Sequence, residues 1–505
     1  MRHAVLDLGS NSFHVLVAEV DGPSLTPVLR EREMLHLGRA VAATGAVPPA
    51  AERSAAATVA HLAELGRRSG ARTITAVATD ALRDAVNGQA VLQRLEQVAD
   101  TPVHVLDGLA EARLAYLGVR ASVAVRAEPV LVLDLGGGSL ELAIGIGGRV
   151  VWATSTPLGA SRLSAGLSND PLEHSDLERL RGVVDAAVDP VREVVAAHEP
   201  ATCIAVGGTV RALGRLSAAA HAQWLPASVN QLSLPHADLA ALRDRLVGVD
   251  VARRRRLPAM KSRRADHIHV AAMVLTRVLE RLGIPTVHVS DWGLREGLLL
   301  DGISGPAHPD PTSLRAGEVE RLRRAFNATD PHPDHVAELA ASLFDATVAL
   351  HGLDGHDREL LVLAARLHSL GETLALRRQH VHGAYLVENA ELRGFDPAET
   401  AMLTTLVRFH PSRGIGSGFA AFEALAPADR ERVRRLLPLL QLADALDRAH
   451  DQAVRRVDVH RHGDRVELQL DGGDPQVARS ELVRRSRLFE EVYEVAVHVA
   501  QRSPA

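Results

Sequence analysis

The sequence predicts an α/β fold in which two similar half-domains face each other across a cleft, followed by an all-α domain and a small α+β module. Two stretches support the duplication: residues 4–12 (AVLDLGSNS) and 130–142 (VLVLDLGGGSLEL) are both apolar strands that run into an Asp-Leu-Gly turn. The length of 505 residues exceeds what one hydrophobic core organises, so further domains are expected. We place the half-domains at residues 1–122 and 123–301, the all-α domain at 312–453 and the α+β module at 454–505.

Both turns have the composition of a phosphate-binding hairpin. Glycine accepts positive φ and has no Cβ, so the backbone of such a turn approaches a ligand closely. Its successive N–H groups form a nest that suits phosphate oxygens. A plain β-hairpin explains either turn alone, but two of them favour a shared site. This arrangement resembles the actin-like (ribonuclease H-like) and sugar-kinase ATPase architecture. The predicted phosphate-binding residues of the hairpins are Gly9, Ser10, Asn11, Ser12, Gly136, Gly137, Gly138 and Ser139.

The composition restricts the class of protein. The chain has 46% hydrophobic and 24% charged residues, which is typical of globular proteins, and a single cysteine, Cys203, which fits a reducing cytoplasm. A net charge of -5 and an aromatic content of 3% argue against broad binding to nucleic acid. The sequence has no leader pattern and no apolar run of membrane-spanning length, so we expect a cytoplasmic protein with no membrane partner.

The first half-domain contains two candidate functional positions beside its hairpin. Its predicted elements are strands at residues 13–20, 28–36, 74–77 and 103–106 and a helix at residues 48–70. Thr79 and Arg83 belong to a short helix after the third strand. The local sequence favours Thr79 as a helix N-cap, and an anion site formed with Arg83 is the functional alternative. Glu111 lies in the first turn of a later helix, where it either complements the helix dipole or acts as a general base.

The second half-domain contains a third glycine turn. Gly207, Gly208 and Thr209 follow the strand predicted at residues 203–206 and open a helix. A helix N-terminus of this kind is suited to phosphate or a nucleotide, although a plain strand-to-helix connection explains the pattern equally well.

The chain carries six motifs that together identify a family, namely AVLDLGSNS, ATDALRDA, DGLAEARLAYLGV, LDLGGGSLEL, AVGGTVRAL and SDWGLREGLL. Their order and spacing resemble the exopolyphosphatase/guanosine pentaphosphate phosphatase (Ppx/GppA) family over nearly the whole chain. The resemblance is to the long form, which has a C-terminal helical domain. It implies hydrolysis of a terminal phosphoanhydride by a homodimeric enzyme.

The resemblance also implies roles for individual side chains. It assigns the general base to Glu111, which would deprotonate the attacking water, while Arg83 would add a permanent cation beside the phosphate. Mg²⁺, with Mn²⁺ as an alternative, is expected near Asp134, Glu141 and Asp7. We expect it to be held mostly through waters, because magnesium keeps much of its hydration shell.

The C-terminal part follows a predicted linker at residues 302–311 and has a helical pattern. It resembles the HD-type metal-hydrolase fold at His335, His368 and Asp444. A working HD site needs an aspartate directly after the histidine, but Ser369 stands there, so we expect this domain to be catalytically silent. The last module is predicted to alternate strands and to end in a helix.

Basic side chains outside the core motifs are candidates for a channel that guides an anionic substrate. A solvated surface explains the same residues without any function. The candidates are Arg263 and Arg264 in the basic stretches at 253–256 and 261–264, and His380, His382 and His410 in the helical domain.

Two substrates fit the resemblance: inorganic polyphosphate, shortened from its end, and guanosine pentaphosphate, trimmed to the tetraphosphate. The arginine-rich composition with few aromatics favours polyphosphate. A kinase that phosphorylates a small molecule is an alternative from another class, and a non-catalytic sensor of polyphosphate or alarmones is a third. The family motifs argue against the kinase, and the intact core motifs argue against the sensor.

Overall fold

The computed structural model describes residues 1–21, 24–125, 128–167, 169–221, 223–301, 311–326, 328–472 and 475–501. The chain divides into two compact units, Met1–Gln223 with Val229–Leu314 and Trp224–Ser228 with Arg315–Ala505. None of the helices in the described ranges has both the length and the apolar character of a membrane span. The predicted linker lies outside the described residues, except for Pro311, which begins a helix.

The first unit opens with a five-stranded sheet in the order β3-β2-β1-β4-β5. The first three strands form an antiparallel meander, and β4 and β5 continue the sheet parallel to β1. This part consists of β1 (Arg2–Leu8), β2 (Ser12–Asp21), β3 (Ser24–Met34), α1 (Leu37–Thr44), α2 (Pro49–Arg68), β4 (Thr73–Ala78), α3 (Asp80–Asp84), α4 (Gly88–Ala99), β5 (Val103–Val105) and α5 (Gly108–Arg120).

A second sheet repeats this topology. Its order is β10-β11-β9-β6-β7-β8, so β8-β7-β6-β9-β11 corresponds strand by strand to the first sheet, and β10 is added at the edge. The predicted α/β fold with two similar halves is therefore confirmed. Its elements are β6 (Val130–Leu135), β7 (Leu140–Ile146), β8 (Arg149–Thr156), α6 (Ala160–Ala165), α7 (His174–Ala197), β9 (Thr202–Val206), α8 (Gly208–Ala220), β10 (Ser233–Pro235), α9 (His236–Val247), α10 (Val251–Arg254), a 3-10 turn (Ser262–Arg264), α11 (Ile268–Leu282), β11 (Thr286–Val289) and α12 (Leu294–Asp301).

Each half contributes one helix that packs against the sheet of the other half. Helix α5 buries Tyr116 against residues of the second sheet such as Val206, whereas α12 buries Leu299 against Val5 of the first sheet. The two helices pack so closely that a Cβ at Gly297 would overlap the main chain of α5. This packing brings the two halves together, so both Gly-rich hairpins border one cavity. The boundary between the halves at residue 122 stays a prediction.

The second unit contains the predicted helices and a three-stranded sheet in the order β12-β13-β14. Its apolar core includes Phe344, Leu361, Leu403 and Leu437. The prediction that the last module ends in a helix was wrong, because the strand β14 (Ala496–Gln501) follows the last helix and pairs in parallel with β13 (Arg465–Gly472). Alternate valines of β14 pack against the core. The elements are α13 (Pro311–Ala325), which spans the division between the units, α14 (His332–Ala346), α15 (Val348–His351), α16 (Gly355–Leu367), a 3-10 turn (Leu370–Thr373), α17 (Gln379–Asn389), α18 (Pro397–Phe409), α19 (Ala420–Glu423), α20 (Pro427–Leu446), β12 (Val454–His462), β13 (Arg465–Gly472), α21 (Pro475–Tyr493) and β14 (Ala496–Gln501).

Candidate active site

A cavity of about 200 Å³ lies between the β1–β2 and β6–β7 hairpins of the first unit. The structure brings most of the predicted site residues together there. The predicted residues that line it are Asp7, Gly9, Ser10, Asn11, Ser12, Thr79, Glu111, Asp134, Gly136, Gly137, Gly138, Ser139, Glu141, Gly207, Gly208, Thr209 and Arg264.

The two hairpins have the same backbone arrangement. A Cβ on Gly9 would lie 3.3 Å from the carbonyl oxygen of Ser12, and a Cβ on Gly136 would lie at the same distance from that of Ser139. The glycines therefore keep both turns tight enough to face a ligand with main chain. Asp7 pairs with His14 in the first hairpin, as Asp134 pairs with Glu141 in the second. His14 thus occupies the position that Glu141 has in the second half.

Glu111 extends from the first turn of α5 into the cavity, while Asp107 caps this helix by accepting from the Ala110 N–H at 2.7 Å. The Glu111 side chain is buried, and its Oε1 accepts from Arg83 NH1 at 2.8 Å. Burial raises the pKa of Glu111 to about 7, although Arg83 acts in the opposite direction. Glu111 is therefore a carboxylate that exchanges a proton near neutral pH, which is what a general base requires.

Three further carboxylates, Asp134, Glu141 and Asp7, lie near Glu111. Burial, followed by the charge of Asp7, raises the pKa of Asp134 to about 6. Burial, Glu111 and Asp134 raise the pKa of Glu141 well above its usual range, and its Oε1 accepts from Ser155 Oγ at 2.8 Å. Burial also raises the pKa of Asp7. Four neighbouring carboxylates with raised pKa values make the region electrostatically suited to a bound cation.

The donor set fits a hydrated magnesium ion. Asp7, Asp134 and Glu141 offer only oxygen ligands, which Mg²⁺ prefers. Among the described residues of this cavity, no three carboxylate or histidine ligand atoms lie within 4.8 Å of one another, whereas such groups occur in the second unit. An ion here would therefore contact one or two carboxylates and complete its shell with water or substrate oxygens, as Mg²⁺ commonly does.

Four arginines, which we call the arginine wall, also line the cavity. They are Arg32, Arg211, Arg264 and Arg295. Burial, together with the charges of Arg211, Arg32 and Arg263, lowers the pKa of Arg264 to about 9. Burial likewise lowers the pKa of Arg211, with Arg295 acting in the same direction. Positive charges held this close together favour a multiply charged anion as their ligand.

His14 connects this arginine wall to the first hairpin. Arg295 NH1 lies 2.7 Å from His14 Nδ1, and His14 Nε2 lies 2.8 Å from Ser12 Oγ. Because a guanidinium can only donate, Nδ1 is the acceptor and the proton of the neutral imidazole is on Nε2. Burial and Arg295 hold the pKa of His14 well below its usual range, which keeps the ring neutral. Ser12 Oγ therefore accepts from His14, and its own hydrogen is free to point at a ligand.

Direct side-chain contacts join the two halves beside the cavity. Arg162 from the second half donates to Asp80 at 2.6 Å and to Asp84 at 2.7 Å, both in the first half. Thr79 occupies the N-cap position of α3 as predicted, but its side chain makes no cap bond. The hydroxyl of Ser10 accepts from the Ala81 N–H at 3.2 Å instead. Thr79 also lines the cavity.

The remaining predicted residues lie elsewhere. Arg83 reaches the site through Glu111 rather than as part of the lining, and Arg263 is exposed. His380 and His382 belong to α17 of the second unit, where His380 lines a separate cavity. Sequence reasoning missed seven polar lining residues, and all of them except His14 and Arg32 lie inside quoted motifs. The missed residues are His14, Arg32, Asp80, Arg211, Asp291, Arg295 and Glu296.

The histidines of the second unit also correct an expectation. His335 was expected in the metal-site position of the HD-like domain, but its Nε2 contacts the carbonyl oxygen of Val454 at 2.8 Å. His332, one turn earlier on α14, lies beside His368 and Asp444 instead. His410 is buried next to His368, with ring centroids 5.0 Å apart, so it is not a surface residue of a channel.

Comparison with known proteins links both units to one family. A model of the Ppx/GppA phosphatase family matches residues 16–304, and a model of domain III of the same family matches residues 314–491. Exopolyphosphatase 1 of Mycobacterium leprae (strain TN) is 33% identical over 327 residues, which cover 64% of this chain and 95% of that protein. Exopolyphosphatase 1 of Mycobacterium tuberculosis (strain ATCC 25618 / H37Rv) is 34% identical over 318 residues, which cover 62% of this chain and 91% of that protein.

Solved structures give the same result for the fold. An exopolyphosphatase from Cytophaga hutchinsonii has 26% identity and a TM-score of 0.56, with 60% of this chain and 99% of that chain covered. The Aquifex aeolicus member of the Ppx/GppA family has 27% identity and a TM-score of 0.53, with 60% and 97% covered. The family resemblance seen in the six motifs is confirmed.

Proposed function

The chain belongs to the Ppx/GppA phosphatase family, and from this premise we propose that it is an exopolyphosphatase, which hydrolyses the terminal phosphate of inorganic polyphosphate. The similarity to two mycobacterial proteins named exopolyphosphatase 1 supports this substrate. The observation that carries the proposal is Glu111, a buried carboxylate with a pKa of about 7 in a cavity that four arginines also line. The cavity thus combines a base for water with a binding surface for a polyanion.

In the proposed reaction, water attacks the terminal phosphorus in line with the departing phosphate oxygen. Glu111 accepts the proton of this water, and Arg83 holds the Glu111 carboxylate in place at 2.8 Å. The N–H groups of the two glycine hairpins and the Ser12 hydroxyl donate to the phosphoryl oxygens, on which negative charge accumulates. Arg211, Arg264 and Arg295 neutralise the following phosphates of the chain.

Magnesium is the proposed cofactor. Asp7, Asp134 and Glu141 are the residues that would hold it, and the ion would supply positive charge close to the reacting phosphoryl group. Mn²⁺ is an alternative, because it also prefers oxygen ligands. Removal of divalent ions with a chelator is expected to abolish phosphate release, and addition of Mg²⁺ is expected to restore it.

Guanosine pentaphosphate is the second candidate substrate, because the family model covers phosphatases of both kinds by name. A guanine base is commonly held by stacking on an aromatic ring. Among the described residues that line the cavity there is no phenylalanine, tyrosine or tryptophan, and His14 is engaged by Ser12 and Arg295. This lining favours a substrate without a base. The homodimer implied by the resemblance also stays a prediction.

The decisive experiment measures phosphate release with Mg²⁺ from long-chain polyphosphate and from guanosine pentaphosphate. Glu111→Gln keeps the size of the side chain but removes the base, and we expect the rate on polyphosphate to fall about 10²–10⁴-fold while binding is retained. Glu64→Gln, on the exposed face of α2, is the matched control and should retain the wild-type rate. Faster release from guanosine pentaphosphate would overturn the substrate, and an active Glu111→Gln enzyme would overturn the mechanism.

A further inference from the structure

Two imidazoles and one carboxylate converge in the interior of the second unit. His332 Nε2 lies 3.2 Å from His368 Nε2, and Asp444 Oδ1 lies 3.6 Å from each of these nitrogens. All three residues are at most 2% exposed. They come from the start of α14, the end of α16 and the end of α20, so the helical packing of this unit holds them in place.

The outer nitrogens determine the protonation of both rings. His332 Nδ1 lies 2.8 Å from Asp447 Oδ2, and His368 Nδ1 lies 2.6 Å from the carbonyl oxygen of Ala365. A carboxylate and a carbonyl only accept, so both Nδ1 atoms carry the hydrogen of a neutral imidazole. Both Nε2 atoms then present lone pairs to each other and to Asp444. Three acceptors that face one another in a buried site need a positive charge between them, which a metal ion or a second proton on one imidazole would supply.

The spacing suits one ion of the zinc class. Two nitrogens that bind a tetrahedral Zn²⁺ at about 2.0–2.1 Å lie about 3.3 Å apart. The nitrogens of His332 and His368 are 3.2 Å apart. Imidazole ligands select zinc, iron, nickel or copper over magnesium, which prefers a shell of oxygens.

We propose that His332, His368 and Asp444 bind a single divalent transition-metal ion of the zinc class. Asp447 is a positioning residue for this site, because it fixes the tautomer and orientation of His332. Asp447 is itself held by the N–H of Gln452 at 2.8 Å from its Oδ1. The site uses three protein ligands and does not need the aspartate that Ser369 replaces.

The neighbouring side chains provide a route for the ion. The ring of His450 stacks on that of His332, with centroids 3.6 Å apart and planes 8° apart. His450 also lines an open cavity of about 510 Å³ together with Glu372 and His380. One stacked imidazole therefore separates the buried ligands from an open cavity, whose lining includes the potential ligands Glu372 and His380 as well as Arg448.

The test uses the full chain, freed of metal with a chelator and then titrated with Co²⁺ in excess Mg²⁺. Magnesium occupies oxygen-rich sites, and Co²⁺ bound by imidazole gives visible absorption. We expect the wild type to bind about one Co²⁺ per chain, and metal analysis after Zn²⁺ loading to give the same ratio. If the wild type shows neither the absorption nor stoichiometric metal, the three acceptors are joined by a proton and the proposal is wrong.

Two variants assign the site to these residues. His332→Phe keeps an aromatic ring beside His450 but removes the ligand, and should abolish the Co²⁺ absorption. His335→Phe is the matched control, since it makes the same change one turn along α14 and should keep the absorption. Asp447→Asn keeps all three ligands, so it tests the site even if His332→Phe fails to fold. We expect the affinity of Asp447→Asn for Co²⁺ to fall about 10–100-fold. Unchanged Co²⁺ binding in both His332→Phe and Asp447→Asn would overturn the assignment.

Discussion

The contact between Arg83 and Glu111 gives the sharpest prediction about the proposed mechanism. Arg83 NH1 donates to Glu111 Oε1 at 2.8 Å and to the carbonyl oxygen of Leu106 at 2.6 Å. Burial raises the pKa of Glu111 to about 7, and the positive charge of Arg83 prevents it from rising further. Arg83→Met removes this charge and nearly preserves the volume of the side chain, so the pKa of Glu111 should increase.

The size of the effect follows from the geometry. An opposite charge in direct contact lowers the pKa of a carboxylate by roughly 1–3 units, so its loss should place the pKa of Glu111 at about 8–10. At pH 7, about half of the Glu111 side chains are ionised in the wild type, and roughly a tenth or fewer would be ionised in the variant. We therefore expect phosphate release at pH 7 to fall at least about 5-fold.

The assay is the rate of phosphate release from polyphosphate between pH 5.5 and 10 at saturating Mg²⁺. The acidic limb of the profile should move to higher pH in Arg83→Met, and the rate should recover as the pH increases. Arg94→Met, an exposed arginine of the same half, should leave the profile unchanged. If Arg83→Met lowers the rate equally at every pH, Arg83 acts on the phosphate itself and not through the pKa of Glu111.

Three further predictions concern other contacts of the cavity. His14→Phe removes the donor that orients the Ser12 hydroxyl, so kcat/KM for polyphosphate should fall about 10-fold, the equivalent of one hydrogen bond to a charged group. A kcat/KM near the wild-type value in steady-state kinetics would exclude a role for His14 in orienting Ser12. The pKa of Asp134 rises from 3.8 to about 6 on folding, so the folded state binds more protons and the wild type loses stability as the pH rises through this interval. Metal-free Asp134→Asn should therefore be more stable than wild type by roughly 1–3 kcal/mol at pH 8 and not at pH 4, and equal calorimetric melting of the two proteins at both pH values would contradict this. Arg162→Met breaks the contact with Asp80 between the halves, so KM for polyphosphate should increase several-fold with a smaller change in kcat, and an unchanged KM would show that the contact has no part in substrate binding.

The fold could be predicted because its signals are local. Each hairpin joins an apolar strand, an aspartate and a glycine turn within about ten residues, and the same signal occurs twice. The glycines are required at fixed places: a Cβ on Gly138 would overlap the carboxylate of Asp80. A pattern of this kind depends on the backbone rather than on distant partners, so it is visible in the sequence alone.

The arginine wall could not be predicted in the same way, because tertiary contacts create it. Arg32 lies on β3 and comes to the cavity only because it pairs with His14 in the sheet register. Arg295 arrives from the start of α12, far along the chain. Nothing in the sequence around Arg32 distinguishes it from Arg30, two residues earlier on the same strand.

The prediction of His335 as the histidine of the metal-site position failed for a related reason, since His332 lies there. Both histidines lie on α14, three residues apart, and helical periodicity places them on neighbouring parts of the same face. Asp447 selects His332 by accepting its Nδ1–H, and Asp447 is 115 residues away in the sequence. A spacing pattern identifies the helix that carries a ligand, but the partner from another helix decides which residue is the ligand.

The duplicated hairpins divide the cavity into two electrostatic regions. His14 and Glu141 occupy equivalent positions in the two hairpins. Apart from burial, arginine charges act most strongly on the pKa of His14, whereas the carboxylates Glu111 and Asp134 act most strongly on the pKa of Glu141. A phosphate chain needs cations along its length, whereas the attacking water needs a base. We therefore expect the chain to lie toward the first hairpin and the water to approach from Glu111.

His14→Glu tests this division, because it gives the first hairpin the side chain of the second. A carboxylate at this position would pair with Arg295 and extend the negative region into the arginine wall. KM for polyphosphate should then increase more in His14→Glu than in His14→Phe, since repulsion is added to the loss of the Ser12 contact. High salt should reduce the difference between the two variants, because it screens the added charge. Equal KM values at low salt would place the phosphate chain away from the first hairpin and refute the proposed path.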